Sequence, residues 1–444
     1  MPKFNKTDIP STDSADPVVV VGTTPDYVAR IFHHYPVDPL FILDIRHQGD
    51  STLDGIEPSH LFFASLSDEE ATLYYFQEHL RFHHVSPIGI ACFDCEYLAL
   101  ASRLATDLHL PFPPLDAVLY SRNKLETRRL LKKAGVRTVS ATAASDLDAT
   151  LRFFHTAQKS IVIKPLSGSG SELVFHCRSE KEIKETVGIM KQQLPKRREN
   201  PLFRIVSHHP SDGGPFMDPC RTWLVEEYID GPEYSCDLTL SSGQATIIRE
   251  TGKVKALGQT FGSVLAYTCP PVYPEGFPLE TLPRILGQAC EALGFSWGYF
   301  MVDYIVKDHY PFIIEISPRP GGDSIPDLIQ TATGRDTLGI YLSLICGRPF
   351  STDIKPLPCR FSGSLNIFAP CEGRIAHMDL SEIQRQQDVQ SIYLKKKVGD
   401  RITLPPEDYD NRLLGYCIVS SDHQFDPIAL YQAFQPLVRI YIEK

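Results

Sequence analysis

Two acidic residues interrupt apolar runs beyond residue 300. Asp303 lies in MVDYIV and Glu315 lies in IIEISPR, and a short turn around Asp308 separates the two runs. Both runs predict β-strands, and an ionised carboxylate on a buried strand is costly unless it is paired or bound to a metal. Adjacent strands would bring both carboxylates to one side, where protein and phosphate oxygens together suit Mg²⁺. The alternative is a pair of core acids that are neutralised by arginine, with Arg319 as the obvious partner.

A lysine at the end of a short apolar strand precedes a loop of small residues. Ile161–Ile163 leads into Lys164 and then into the stretch SGSGSE. The loop residues are Ser167, Gly168, Ser169, Gly170 and Ser171. Small residues let backbone N–H groups turn toward an anion, and the lysine supplies a fixed positive charge for a phosphate. The GxxxxGK[ST] pattern of a P-loop is absent from this stretch, and taken alone the loop is more typical of a flexible hairpin turn.

The acidic stretch EEYIDGPE, residues 226–233, joins two further predicted strands. Its backbone is expected to be extended between Glu226 and Ile229, so that a purine ring could hydrogen-bond to the strand edge. A carboxylate such as Glu233 could accept hydrogen bonds from ribose hydroxyls. An exposed acidic hairpin turn is the simpler interpretation of these residues when they are taken alone.

Alternating strands and helices must position these groups. The run Val18–Val21 ends at Gly22, and a helical pattern and the apolar run 40–45 follow, which is typical of a βαβ unit with a parallel sheet. We interpret residues 17–115 as a Rossmann-like module, although one glycine in its first turn is not a dinucleotide fingerprint. A charged helix, SRNKLETRRLLKKAGV, is predicted to begin near Arg122. The fold class is α/β (α+β).

The composition limits the class of protein. The chain has 444 residues, of which 43% are hydrophobic and 22% are charged; this is ordinary globular usage and excludes collagen-like, low-complexity and small disulfide-stapled proteins. A formal net charge of −10 argues against broad nucleic-acid binding. The basic clusters KRR at 196–198 and KKK at 395–397 are short, and solvated loop charge is their usual explanation. A local group of lysines can still bind an anionic substrate.

The cysteines and the N-terminus indicate the compartment. Eleven cysteines are scattered along the chain, and the only close pair is Cys92 and Cys95 in CFDC. No second Cys/His pair follows to complete a zinc site, so CFDC is either two buried thiols or a redox pair. Residues 1–16 are polar and predict disorder without a signal-peptide core, and no window has the ~18 apolar residues of a membrane span. We expect a cytoplasmic protein without a membrane partner.

Five motifs in a fixed order resemble the ATP-grasp superfamily over roughly residues 90–350. The matching stretches are SRNKLETRRLLKKAGVRT, VIKPLSGSGSE, WLVEEYIDGPEYSCD, LGFSWGYFMVDYIV and IIEISPRPGGDSIPDLIQTATGRD. The spacing of about 40 residues from Lys124 to Lys164, and of about 60 more to Glu226, is similar to the layout of that family. Within the superfamily, RPGGDSIPDLI and the C-terminal segment look most like the carboxylate–amine ligases of the L-amino acid ligase type.

The resemblance implies an ATP-grasp fold with an N-terminal Rossmann-like (pre-ATP-grasp) domain and a C-terminal cap. The implied organisation is a disordered segment at 1–16, the Rossmann-like domain at 17–115, the ATP-grasp domain at 116–355 with a lid subdomain at about 138–225, and an α/β cap at 356–444.

The resemblance also implies an ATP site. Lys124 and Lys164 look like the two lysines that contact ATP phosphates. The residues that resemble the mobile lid loop are Ser167, Gly168, Ser169, Gly170 and Ser171. The residues that resemble the adenine-binding hinge are Glu226, Glu227, Tyr228 and Ile229. Glu233 resembles the acid that binds the ribose.

The implied metal and catalytic residues follow further along the chain. Asp303 and Glu315 look like ligands of Mg²⁺, with Mn²⁺ as an alternative ion, and Arg319 resembles the arginine beside the reacting carboxylate. The family usually has Asn two residues after the second acid, whereas this chain has Ser317. Ser317 can reach a metal directly or through water, but its side chain is shorter than that of Asn. The number of bound metal ions, one or two, is therefore left open.

The implied activity is an ATP-dependent ligation of two small molecules. A carboxylate is activated as an acyl phosphate and joined to an amine, with release of ADP and phosphate. One alternative is a purine-biosynthesis or biotin-carboxylase-like enzyme that uses a nucleotide intermediate or bicarbonate. Another is a non-catalytic ATP-binding protein. The partners are a small-molecule carboxylate and an amine, with no nucleic acid, and a homodimer is compatible with the resemblance.

Overall fold

The computed structural model describes residues 17–203, 217–255, 261–350 and 361–443. The segment 1–16, predicted to be disordered, lies outside the described residues. Residues 204–216, within the predicted lid subdomain, also lie outside them. Among the described residues, no helix is both long and apolar enough to cross a membrane.

Four parallel strands form the N-terminal sheet. The strands are β1 (Pro17–Val21), β2 (Asp38–Asp44), β3 (Leu61–Ala64) and β4 (Gly89–Ala91), and the helices of this region are α1 (Pro25–His34), α2 (Glu69–His83) and α3 (Leu98–Leu108). The strand order is β3-β2-β1-β4. The valines of β1 are fully buried, as expected of a parallel sheet that is covered on both faces. The predicted βαβ unit is confirmed.

Two short helices follow the N-terminal sheet, α4 (Leu115–Arg122) and α5 (Lys124–Lys133). The side chain of Asn123 accepts hydrogen bonds from the amides of Leu125 and Glu126, so it caps α5 in the usual manner. The charged helix therefore begins at Lys124, slightly later than predicted, and Lys124 occupies its first turn.

A small antiparallel sheet comes next. Its strands are β5 (Ala141–Ala144), β6 (Ile161–Pro165), β7 (Phe175–Cys177) and β8 (Trp223–Glu227), and its helices are α6 (Leu147–Ala157) and α7 (Glu180–Gln193). The strand order is β5-β8-β6-β7. Apolar residues of the strands and of α7 share one core, which includes Ile163, Val225 and Met190.

An eight-stranded antiparallel sheet forms the largest layer. Its strands are β9 (Glu233–Ser241), β10 (Gln244–Lys255), β11 (Val264–Cys269), β12 (Trp297–Lys307), β13 (Tyr310–Ser317), β14 (Phe361–Phe368), β16 (Val389–Leu394) and β18 (Leu413–Ser421). The order is β13-β12-β9-β10-β11-β14-β18-β16. Because β11 pairs with β14, the C-terminal region shares this sheet with the preceding part of the chain.

The remaining elements surround the large sheet. A three-stranded sheet has the order β17-β15-β19, and its strands are β15 (Gly373–Asp379), β17 (Arg401–Ile402) and β19 (Arg439–Glu443). The helices are α8 (Leu282–Ala292), α9 (Ile325–Thr333), α10 (Thr337–Ile345), α11 (Ser381–Gln384) and α12 (Pro427–Phe434). The predicted α/β (α+β) class is confirmed.

Candidate active site

The two acids predicted to be neighbours face each other across paired strands. Asp303 on β12 is the direct cross-strand partner of Glu315 on β13, and cross-strand partners point to the same face of a sheet. Asp303 Oδ2 is paired with Lys253, whereas the buried Oδ1 has no hydrogen-bond partner among the described residues. Asp303 is therefore neutralised by Lys253 and not by Arg319, the partner that the alternative interpretation named.

Lys253 joins the site from β10. Its Nζ donates to Glu233 Oε1 at 3.0 Å and also to Asp303, and Lys255 contacts the other Glu233 oxygen. Burial alone would raise the pKa of Glu233, but Lys253 and Lys255 hold it at about 2. Lys253 was not predicted from the sequence as a site residue. The stretch TGKVK could have indicated it, because alternate residues of a strand point to the same face, so both lysines lie on one face.

A buried ion-pair triad lies at the two central strands of the small sheet. Lys164 contacts one oxygen of Glu226, and Arg128 Nε donates to the other at 3.0 Å. Although burial raises the pKa of Glu226, Arg128 and Lys164 lower it to about 2. Burial lowers the pKa of Lys164, and Glu226 opposes that shift. The predicted hinge acid thus orients the predicted phosphate-binding lysine.

Arg128 was also missed from the sequence. It follows Lys124 by four residues on α5, so both side chains lie on one face of that helix. Its Nη2 donates to the Ile314 carbonyl on β13 at 3.2 Å. Arg128 therefore links the small sheet, through Glu226, to the strand that carries Glu315.

Lys124 connects the start of α5 to the loop after β6. Its Nζ donates to the Gly168 carbonyl at 2.9 Å, and its backbone amide donates to the Leu166 carbonyl at 2.8 Å. Burial lowers the pKa of Lys124 to about 8, and the nearby Glu315 partly offsets this effect. In the free protein this lysine therefore loses its proton much more readily than an exposed lysine.

The predicted lid loop joins the antiparallel strands β6 and β7. Ser167 Oγ donates to the Phe203 carbonyl at 3.1 Å, and Ser171 Oγ donates to the Gly262 carbonyl at 3.0 Å. Ser169 lies between these anchors. The positive φ values in the loop belong to Gly168, Gly170, Ser171 and Leu173. Glycine adopts this conformation without strain, which explains two of the loop's small residues.

The predicted hinge connects two sheets. Because β8 belongs to the small sheet and β9 to the large one, residues 228–232 do not form the hairpin turn of the simpler interpretation. The amides of Glu227 and Tyr228 donate to the carbonyls of Ser140 and Ser160, at 3.1 and 3.0 Å. These two amides are therefore already hydrogen-bonded within the protein. The next backbone amide along the hinge is that of the buried Ile229. The Tyr228 ring stacks on His176 with ring centroids 3.8 Å apart.

Arg319 meets a thiol from the N-terminal module. Its Nε donates to Cys95 Sγ at 2.9 Å and its Nη1 to the Pro320 carbonyl at 2.7 Å. The Ser317 hydroxyl lies 3.7 Å from the same sulfur. Cys92 and Cys95 are both buried free thiols. The sequence reasoning identified the pair but did not place Cys95 beside Arg319.

A buried acid anchors the loop that follows Arg319. Asp237 accepts hydrogen bonds from Arg249 at 2.6 Å, from the Tyr299 hydroxyl at 3.0 Å and from the Gly321 amide at 3.1 Å. Asp237 is fully buried, and a Cβ at Gly321 would collide with the Arg249 guanidinium. Glycine is therefore required for this close approach, and the network fixes the backbone beside Arg319.

Comparison with known proteins places this arrangement in a fold family. The family described as ATP-grasp domain matches residues 157–327. The crystal structure of L-amino acid ligase from Bacillus licheniformis aligns with a TM-score of 0.74 and 19% sequence identity, covering 98% of this chain and 100% of that one. This chain has the ATP-grasp fold. The resemblance inferred from the five motifs is confirmed.

A second solved structure shows the same fold at lower similarity. It is the biotin carboxylase domain of the Hydrogenobacter thermophilus 2-oxoglutarate carboxylase, in complex with MgADP, ADP and bicarbonate. The TM-score is 0.66 at 15% identity, with 96% of this chain and 91% of that chain covered. At such identities these likenesses show the fold alone.

Two curated relatives match parts of the chain. An uncharacterized protein, y4rH, of Sinorhizobium fredii is 24% identical over 295 residues, which are 66% of this chain and 55% of that protein. Carnosine synthase 1 of Gallus gallus is 27% identical over 231 residues, which are 48% of this chain and 24% of that protein. The chain thus spans about half the length of the first relative and about a quarter of the second.

The acids of the candidate site are of a kind that fits a magnesium–nucleotide complex. Within the described ranges, no group of three or more His, Cys, Asp or Glu residues could hold a metal ion without other ligands. Mg²⁺ in nucleotide sites commonly takes only one or two carboxylates and completes its shell with phosphate and water oxygens. The unpartnered Asp303 Oδ1 beside Glu315 is suited to that kind of site.

Proposed function

We propose that this protein is an ATP-dependent carboxylate–amine ligase. The γ-phosphoryl group of ATP is transferred to a substrate carboxylate, which forms an acyl phosphate and ADP. An amine then attacks the acyl carbon, phosphate leaves, and an amide remains. The substrates that we propose are amino acids or similar small metabolites.

One observation carries the proposal: cations surround a pair of cross-strand carboxylates. Lys253 binds Asp303 directly. Burial raises the pKa of Glu315, but Lys124, Arg122, Arg319 and Lys253 lower it below its usual value. A site of this composition can bind a triphosphate and a carboxylate side by side and offset the repulsion between these two anions.

The nucleotide would lie between the small and large sheets. Lys124 and Lys164 are proposed to bind its phosphates beneath the lid loop, residues 167–171. The hinge residues 226–229 would border adenine, and Glu233 would accept from the ribose hydroxyls. Since Glu233 already binds two lysines, a bound ribose would share that carboxylate with them.

The metal is proposed to sit at Asp303 and Glu315. When bound, Mg²⁺ or Mn²⁺ would neutralise phosphate charge and polarise the transferred group. Ser317 is fully buried, with its hydroxyl near Cys95. Its short arm favours one ion held by the two acids over a second ion held by Ser317.

Arg319 is proposed to bind the reacting carboxylate and the oxyanion that forms when the amine attacks. Its guanidinium bonds to a sulfur and a carbonyl oxygen, so donors remain among its five N–H groups. The lid loop would exclude water and protect the acyl phosphate from hydrolysis.

The similar proteins support an amino-acid substrate class. One of the compared structures is named as an L-amino acid ligase, and one relative is named carnosine synthase 1. Those names describe enzymes that act on amino acids, and the proposal extends that class to this chain.

A panel of carboxylates and amines tests the proposal through the release of ADP and phosphate in the presence of Mg²⁺. The expected result is release that requires one carboxylate and one amine together. Release with bicarbonate alone would favour a carboxylase-like reaction. Tight ATP binding without turnover across a broad amino-acid panel would favour a non-catalytic nucleotide-binding protein.

A further inference from the structure

A cavity of about 790 Å³ lies in the C-terminal region. It is bordered by β14 and β18 of the large sheet, by α12 and by the start of β19. Its apolar lining includes Leu365, Ile367, Phe434 and Val438. None of its lining residues belongs to the site predicted from the sequence. The volume lies within the range of cavities that hold small organic ligands.

An arginine contributes a positive charge to this cavity. Arg412 lines it and lies over the rings of Phe368 and Tyr409. Among the described residues, its hydrogen-bond acceptors are the Tyr409 carbonyl at 3.2 Å and the Ser263 hydroxyl at 2.8 Å. Neither acceptor is a carboxylate, and burial lowers the pKa of Arg412. A half-buried guanidinium that has no carboxylate partner among the described residues is costly, so an anion in the cavity would be stabilised.

The donors of Arg412 are only partly used. Its Nε and one N–H of Nη2 serve Tyr409 and Ser263, and a guanidinium has five N–H donors. The free donors suit a carboxylate, which arginine binds through paired hydrogen bonds. The other arginine of the lining differs, because Arg439 donates to Glu382 at 2.7 Å.

The polar edge of the cavity contacts the segment that holds the lid loop. Arg412 donates to Ser263, and Asn366 donates to the Val264 carbonyl at 2.8 Å. The preceding residue, Gly262, accepts the hydrogen bond from Ser171 of the lid loop. The edge of the cavity is therefore hydrogen-bonded to the segment that also anchors the lid loop.

We propose that this cavity is a binding site for a small amphipathic carboxylate, distinct from the ATP-grasp site. The carboxylate group binds Arg412, and the apolar body lies against Leu365, Ile367 and Phe434. The size of the cavity, its apolar lining and an arginine that pairs with no carboxylate in the described part of the chain together define this ligand class.

Octanoate and octan-1-ol, titrated into the full chain by calorimetry, are the matched probes, since they share an apolar body and differ in charge. Octanoate is expected to bind at one saturable site, and octanol at least about tenfold more weakly, because a charge-assisted hydrogen bond contributes at least that factor. Arg412→Gln should weaken octanoate about tenfold and leave octanol unchanged. The control Arg439→Gln should keep the octanoate affinity within about threefold.

A second variant keeps Arg412 and fills the cavity with a larger side chain. Ala369→Phe should block both probes, with circular dichroism used to check that the variants fold. The proposal is overturned if octanoate does not saturate the unmodified protein, or if Arg412→Gln binds it as tightly. These titrations need no ATP, so their failure would leave the proposed ligase activity untouched.

Discussion

At the residue scale, positive charge in this acidic protein is concentrated beside the paired acids. Lys164 and Lys253 are buried and are balanced by Glu226, Glu233 and Asp303. Lys124 is half-buried and is held by its hydrogen bond to the loop after β6, so each lysine is held in place before any ligand binds. Such preorganisation reduces the cost of assembling the charges when phosphate binds.

Removing either a proposed phosphate-binding lysine or a proposed metal ligand should stop ADP formation. We expect Lys164→Ala and Glu315→Ala each to lower the rate by about a hundredfold or more, because charge stabilisation of the transferred phosphoryl group is lost. The exposed Lys181→Ala should remain near normal. An ADP-release assay measures all three, and equal losses in the three variants would indicate unfolding instead of site chemistry.

The lowered pKa of Lys124 predicts a pH-dependent affinity for ATP. This group has a pKa of about 8 in the free protein, below its ordinary value, so it is charged below pH 8 and neutral above it. If only the charged form binds phosphate well, ATP should bind about tenfold more weakly at pH 9 than at pH 7. Binding near pH 8 should also take up a proton, which calorimetry in two buffers detects.

Lys124→Arg is the matched control for this prediction, since arginine stays charged over the whole range. Its ATP affinity should vary much less between pH 7 and pH 9. The same pH dependence in both proteins would contradict the assignment to Lys124.

At the element scale, strand register decides which side chains meet. The apolar runs around Asp303 and Glu315 predicted both strands and their adjacency. The partnership of Lys253 with Glu233 and Asp303 requires the order β12-β9-β10, and no local pattern specifies that order. The contact of Cys95 with Arg319 joins residues from distant parts of the chain. The sequence could assign each residue to its segment, but it could not show that the two are in contact.

The Asp237 network predicts that the backbone beside Arg319 depends on one buried charge pair. Asp237→Asn should lower the free energy of unfolding by about 3 kcal/mol, because Arg249 is left without its counter-ion in the core. Tyr299→Phe removes one neutral donor to the same carboxylate and should cost about 1 kcal/mol. Urea denaturation measures both values.

Kinetic measurements distinguish a loss of stability from a loss of loop positioning in these two variants. Folded Asp237→Asn should show a raised KM for the carboxylate substrate, since asparagine has only one acceptor oxygen for Arg249 and Gly321 to share. Equal destabilisation by both variants, with an unchanged KM, would show that the network does not position the loop.

At the scale of the whole molecule, the large sheet ties the C-terminal region to the site. Strands β9–β13 carry the acids and Lys253, and the same sheet continues through β14, β18 and β16. The sequence indicated strands in the last part of the chain and favoured a cap. Their membership in the site's own sheet depends on the pairing of β11 with β14, which no spacing in the sequence specifies.

Deleting residues 351–444 should therefore prevent folding of the remainder. The deletion would leave β11 as an open edge and expose the faces of Leu265 and Leu328, which pack against residues of the C-terminal region. Unpaired apolar edges aggregate. Size-exclusion chromatography should show aggregate where the full chain gives a discrete species, and a soluble fragment with normal ADP release would contradict this account.

The central claim is that a carboxylate is activated by phosphorylation. Transfer of ¹⁸O from a labelled carboxylate substrate tests it most directly, with mass spectrometry of the products after amide formation. One ¹⁸O atom is expected in the released phosphate, with ADP as the nucleotide product. Label in AMP, or amide formation with unlabelled phosphate, would contradict it.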